Sequence, residues 1–291
     1  MPPTCVLSLD VEEWYQVENL RPLYPPSTWA TQESRCDRST RLYLDILREG
    51  GVAGGTLFVL GEVARRLPAM VREFSDAGFE VASHGMDHRS NFELTPDEID
   101  ANLRDSKALL EDLAGREVTG YRAPSFTISQ AILERVAEAG YRYDSSLNEF
   151  SMHDRYGRLD TERMTRPAPG AYRDGSTGLL EFPVATRRVL GGTVAWGGGG
   201  YFRLYPPGVF LSGARRILAD TGLFVFYLHP WELDPEQPRV RGLGAWRAFR
   251  HYNNLTKTAG RLRDFIAALK ADGVRFASMR ELCGELSPTH A

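Results

Sequence analysis

Short apolar runs alternate with amphipathic stretches through the first half of this 291-residue chain. The runs fall at 6–9 (VLSL), 55–60 (GTLFVL), 79–83, 118–122 and 141–147, each of strand length. Between them, apolar positions recur at helical spacing over 40–48, 63–77, 95–113 and 129–140. Thr95, Pro96 and Glu98 read as N-cap, first helical residue and capping-box acid of the third helix, and Ser129 as the cap of the fourth. Strand and helix alternating in this way predict parallel strands covered by helices. The rhythm breaks at about 148–205, a polar insertion within which 179–189 returns to strand character. A helix is predicted at 206–220, and the run LFVFYL at 223–228 reads as a central strand. A second insertion at 234–254 precedes a helix at 256–271, a last strand at 274–277 and a short helix from Met279. The fold class is therefore α/β, one domain over 1–291. No GxGxxG or P-loop pattern follows a strand, so a barrel is favoured over a nucleotide-binding open sheet.

Chemistry gathers where the strands stop. The first run ends in Asp10, Val11, Glu12 and Glu13, and the spacing Asp-x-Glu turns two carboxylates to the same side of an extended chain. The third ends in His84, Gly85, Met86, Asp87 and His88. Two imidazoles four apart can meet one metal ion if the backbone curls, and Gly85 permits the curl. The fourth ends in Arg122 and the apolar 223–228 run in His229. In an α/β barrel all these ends converge on one face. The segment WGGGGY, 196–201, reads either as a flexible loop or as a close backbone approach to substrate beside Trp196 and Tyr201.

Composition narrows the field. A formal net charge of -3 offers no basic field for nucleic acid. Cys5, Cys36 and Cys283 are too scattered for a disulfide framework or a cysteine metal site. No stretch has the apolar length of a transmembrane segment, and the N-terminus lacks the basic and apolar regions of a signal peptide, so a cytoplasmic location is expected.

Taken together, the motifs resemble those of the NodB-like polysaccharide deacetylases, the fourth carbohydrate esterase family. LSLDVEEW is similar to that family's first motif, SHGMDH to its second, RAPSF to its third, YDSSL to a reduced fourth and FYLHPWE to its fifth. The resemblance covers about 4–147 and 223–280. DVEEW, YDSSLNEF with the following HDRYG, GGGYFRLYP and HYNNL further resemble patterns of the exosortase-associated exopolysaccharide subgroup. Such a resemblance implies an irregular (β/α)7 barrel of the NodB-homology type with two loop insertions that shape a substrate groove.

It also implies roles. Glu12, His84 and His88 would hold a metal, with Glu13 the alternative acid. One carboxylate and two imidazoles suit Zn²⁺, or another divalent transition metal, and leave a position for water. Asp10 would act as base, oriented by Arg122, and His229 as acid, its cation favoured by Asp144. The Ser125 backbone N–H would face the oxyanion. The implied reaction is hydrolysis of N-acetyl groups from N-acetylhexosamine units of a bacterial polysaccharide or its lipid-linked precursor. The alternatives are a metal-independent cyclic-amide hydrolase of the allantoinase type and a non-catalytic saccharide-binding relative.

Overall fold

The computed structural model describes residues 2–149, 156–189 and 192–287, so His153 of the HDRYG pattern lies outside the described residues. From the N-terminus, β1 (Thr4–Val11), α1 (Cys36–Glu49), β2 (Thr56–Val59), α2 (Gly61–Arg66), α3 (Pro68–Asp76), β3 (Glu80–Ser83), α4 (Pro96–Ala114), β4 (Gly120–Tyr121), α5 (Gln130–Glu138) and β5 (Tyr143–Asp144) follow the predicted alternation. The expected helix over 63–77 is two helices, because Pro68 cannot donate a backbone hydrogen bond and instead opens α3. The capping box at Thr95 and Glu98 and the Ser129 cap are both formed.

The first insertion carries β6 (Thr165–Ala168), β7 (Ala171–Arg173) and β8 (Leu180–Glu181), then an antiparallel pair of β9 (Thr186–Val189) and β10 (Gly192–Ala195) and the short helix α6 (Gly199–Leu204). After α7 (Pro207–Thr221) and β11 (Leu223–Leu228), the second insertion contains a helix the sequence reading lacked, α8 (Ala245–Tyr252). The chain closes with α9 (Leu255–Ala271), β12 (Arg275–Phe276) and α10 (Met279–Leu286). Among the described residues, no helix is long and apolar enough to cross a membrane.

The main sheet runs β11-β1-β2-β3-β4-β5-β8 with every neighbour parallel, and continues antiparallel into β7 and β6. It curls, and backbone bonds from Ala185 N to Val225 O and from Tyr227 N to Gly197 O tie the later insertion segment to β11. This is a mixed α/β fold with a curled, half-barrel sheet. A count of seven strand-helix repeats does not follow, since no α-helix lies between β5 and β8 among the described residues.

The period of two in a strand decides what reaches the interior. In β1, Cys5, Leu7, Leu9 and Val11 pack against the helix layer with Leu44, Leu47, Leu262 and Ile266. Val6 packs on the other face with Phe58, Ala82, Tyr143 and Val225, and Ser8 and Asp10 share its parity. The same parity carries His84 beyond Ala82, Arg122 beyond Gly120, and His229 beyond Val225 and Tyr227.

Candidate active site

A cavity of about 430 Å³ opens at the C-terminal ends of these strands, lined by Asp10, Glu12, His84, His88, Ser125 and His229 among others. Strand parity, continued through Val11, brings Asp10 and Glu12 to this one space. The curl after β3 is real: Gly85 has φ +77° and His88 itself sits at φ +52°. Gly85 N–H is taken by Ser83 Oγ and Met86 N–H by Asn102 Oδ1, which fixes the turn and aims both imidazoles inward.

One ligand atom from each of Glu12, His84 and His88 lies within 4.8 Å of the other two. His84 Nδ1–H donates to the Arg122 carbonyl at 2.8 Å, which leaves Nε2 with its lone pair. Burial holds the His84 imidazole down at about 4, so it is neutral near pH 7. Glu12 Oε2 is buried and no hydrogen bond is aimed at it, although His88 Nε2 lies 2.7 Å away. Two groups that close without a hydrogen bond between them are placed as ligands of a shared cation would be, so these residues fit a metal. Glu13, the alternative ligand, points elsewhere. It accepts from Ser34 Oγ and from the Arg35 and Cys36 amides and so caps the start of α1.

Asp10 is anchored by Arg122, whose Nη1 donates to Oδ1 at 2.6 Å. Arg122 is wholly buried, with its remaining donors on Ser8 Oγ, Ser145 O and Ser145 Oγ and its plane over the Phe58 ring. Ser125 sits inside the tight turn Pro124–Phe126, at φ +52°, ψ +23°, on the cavity wall. The first amides of such a turn have no partner within it, which suits a backbone donor facing the cavity.

The expected partner of His229 is corrected. Asp144 is not near it: Tyr143 takes the interior face of β5, so the next side chain turns to the opposite one. There Asp144 accepts from Ser146 N and Oγ and lies beside Glu181. Burial raises both carboxyls, and the Asp144 charge drives Glu181 further up. The carboxylate at His229 is instead Glu232, whose Oε2 takes both Nδ1–H at 2.9 Å and the His229 backbone N–H at 3.1 Å. Burial works against the imidazolium, but Glu12, Glu232 and Asp10 more than offset it and lift the group to about 9.

Behind Glu232 stands a residue that sequence reasoning missed. Arg203, fully buried on α6, donates Nε to Glu232 Oε1 at 2.9 Å and Nη1 to the carbonyls of His251 and Asn253. Asn254 in turn donates to the Arg203 carbonyl. GGGYFRLYP and HYNNL are therefore two sides of one clamp on the His229 partner. The glycines serve that clamp: a Cβ on Gly199 would lie 2.1 Å from Glu232 Oε2. Trp196 does not reach a groove, since it is buried with its indole N–H on Phe210 O, whereas Tyr201 does line the cavity. Trp231 was also overlooked. It stacks between His229 and His251 and donates to Glu12 Oε1 at 3.2 Å.

Comparison with known proteins places this geometry in context. Residues 27–143 match the sequence profile described as "Polysaccharide deacetylase". Over that stretch the chain is similar to the polysaccharide deacetylase family. Residues 145–284 match a profile described only as a domain of unknown function, DUF3473. Asp10 and Glu12 precede the deacetylase match, and His229 and Glu232 fall in the second, so the site draws on both. A peptidoglycan deacetylase of Helicobacter pylori is 30% identical over 112 residues, which cover 36% of this chain and 38% of that protein. The chain thus spans well under half the length of this curated relative. A crystal structure from Mycobacterium smegmatis, provisionally assigned as a polysaccharide deacetylase, superposes with a TM-score of 0.63 at 22% identity, covering 98% of this chain and 91% of that one. A CE4-family pseudoenzyme from Bacillus anthracis superposes at 0.53 with 13% identity, covering 97% and 66%. These superpositions speak for the fold alone, so any activity has to be argued from the side chains.

Proposed function

We propose that this chain is a metal-dependent N-deacetylase acting on N-acetylhexosamine units of a bacterial polysaccharide or its precursor. The observation that carries the reading is the meeting, in one cavity, of the Glu12, His84 and His88 ligand atoms with two separately anchored proton carriers, Asp10 on Arg122 and His229 on Glu232. Glu12, His84 and His88 would hold a divalent metal, with zinc suited to the donor set, and that metal would supply Lewis acidity and a water of lowered pKa.

The chain's own groups do the rest. Asp10, held by Arg122, accepts the proton of the attacking water. The Ser125 backbone N–H stabilises the charge that develops on the acyl oxygen, a contact of a kind worth about 3 kcal/mol in hydrolases. His229 carries a proton at near-neutral pH and delivers it from Nε2 to the departing nitrogen. Nδ1–H stays on Glu232, which fixes the ring's direction. A cation on Glu12 would weaken that carboxylate's pull on His229, and Glu232 is then the partner that keeps the imidazolium. The retained histidine pair and the intact Asp10 and His229 favour this reading over a metal-free amidase or a binding module.

Acetate release from N-acetylhexosamine oligomers tests it. Chelator-treated protein should release none until Zn²⁺ is returned, and full release after chelation would sink the metal-dependent reading. A location inside the cell remains part of the proposal, tested by fractionation of cells expressing the native gene.

A further inference from the structure

Four of the five tryptophans, Trp14, Trp29, Trp196 and Trp231, are buried, but Trp246 is 68% exposed. It sits on α8 one turn before Phe249, itself 46% exposed, and the two rings lie nearly parallel at 21° with centroids 5.8 Å apart. Large aromatic faces left in water together are disfavoured unless something covers them. Both rings line the same cavity as Asp10 and His229, at the wall formed by α6 and α8, with Leu204 and Arg250 beside them.

We infer that Trp246 and Phe249 form a glycan-binding platform for sugar rings that continue beyond the unit being deacetylated. The inference rests on the deacetylase reading above and deepens it, naming the surface on the second insertion that would hold the sugar rings flanking the reacting unit. Continuity with the catalytic cavity decides the occupant. A chain whose acylated unit reaches Glu12 and His229 must leave along a wall, and the α8 wall offers a flat apolar surface with the Arg250 side chain at its edge. The apolar face of a pyranose covers an indole, while its hydroxyls remain available to a guanidinium and to water. The second insertion thus adds an aromatic surface to the cavity, where one sequence reading had placed substrate beside Trp196 and Tyr201.

The test uses the full chain, Trp246→Ala/Phe249→Ala and Trp246→Phe, all checked for folding by circular dichroism. The ratio of kcat/KM for tetramers to that for monomers of N-acetylglucosamine and N-acetylgalactosamine should fall about ten-fold in the double variant and be largely preserved in Trp246→Phe. Tryptophan fluorescence of the wild type should shift on adding a tetramer, and the shift should be smaller in Trp246→Phe, which keeps Trp231 on the cavity wall. An active wild type with no length preference, or an unchanged ratio in the double variant, overturns the platform and leaves the deacetylase reading standing. A fluorescence response to tetramer that is diminished in Trp246→Phe, without acetate release from any sugar, retains the platform and defeats the catalytic reading. A response to phosphatidylglycerol vesicles but to no sugar, or self-association abolished by Trp246→Ala, overturns the platform in favour of a lipid surface or a second copy.

Discussion

Glu232 Oε2 lies 2.9 Å from Nδ1 of His229, three residues earlier in the chain, and accepts that residue's backbone N–H as well. A single carboxylate therefore fixes the ring's tautomer, its direction and the strand end from which it projects. Burying Arg203 against the other oxygen keeps Glu232 charged: burial opposes the carboxylate, but Arg203 and His229 together hold it below its ordinary range.

Glu232→Gln should lower kcat for acetate release by about 10- to 100-fold with little change in KM, the scale seen when a supporting partner of a reacting group is removed. Steady-state kinetics on an N-acetylhexosamine oligomer provide the check. An unaltered kcat would return His229 to needing no carboxylate partner.

Gly199→Ala should copy that defect without touching the carboxylate itself. Its Cβ would stand 2.1 Å from Glu232 Oε2, so Glu232 must move, whereas a Cβ on Gly208 meets nothing within 4 Å. The comparison is therefore kcat of Gly199→Ala against Gly208→Ala. Equal rates would show that the glycine-rich segment is not needed for the clamp.

Strand parity made most of this legible beforehand. Asp10 with Glu12, and His84, Arg122 and His229 at their strand ends, could all be assigned to one face because side chains alternate and parallel strands share a direction. Asp144 was misread since a motif match does not say which face of β5 it takes, and Tyr143 had the interior. Glu232 was visible in FYLHPWE, and an acid three residues after a strand-terminal His-Pro is the signal that could have found it. Arg203 and α8 were hidden because their partners lie far away in sequence, in insertions whose polar composition reads as loop. Trp196 beside its glycines gave no hint of burial, which is set by α7 packing over it.

Arg122→Met should cost about 3–5 kcal/mol of folding stability, the penalty for leaving one member of a buried pair, here Asp10, without its partner. Urea unfolding followed by circular dichroism reads this directly. Asp10→Asn should also destabilise, since it leaves the buried Arg122 charge without its carboxylate, and should reduce acetate release at least about 100-fold. A loss under about 1 kcal/mol in Arg122→Met would mean the pair is hydrated rather than dry.

Acid sensitivity should have an identifiable source at Asp174. Burial would raise this carboxyl, but hydrogen bonds from Ser176, Thr177 and Gln130 outweigh it and hold the group down at about 2. A carboxylate with a depressed folded-state pKa stabilises above its unfolded pKa, about 3.9, and that contribution disappears as pH falls towards 2. Asp174→Asn should accordingly lose about 1–2 kcal/mol at pH 7, about half of that at pH 3, and converge with wild type only at about pH 2 and below. A gap in urea midpoint that stays constant from pH 7 to 3 would contradict this.

The most direct test of the whole account is calorimetric titration of Zn²⁺ into chelator-treated protein. The wild type should bind one ion per chain, and the Glu12→Ala, His84→Ala and His88→Ala proteins should each lose that binding while Glu13→Ala keeps it. Undiminished one-to-one binding in any of the first three, or none in the wild type, would contradict the shared site on which the proposed chemistry depends.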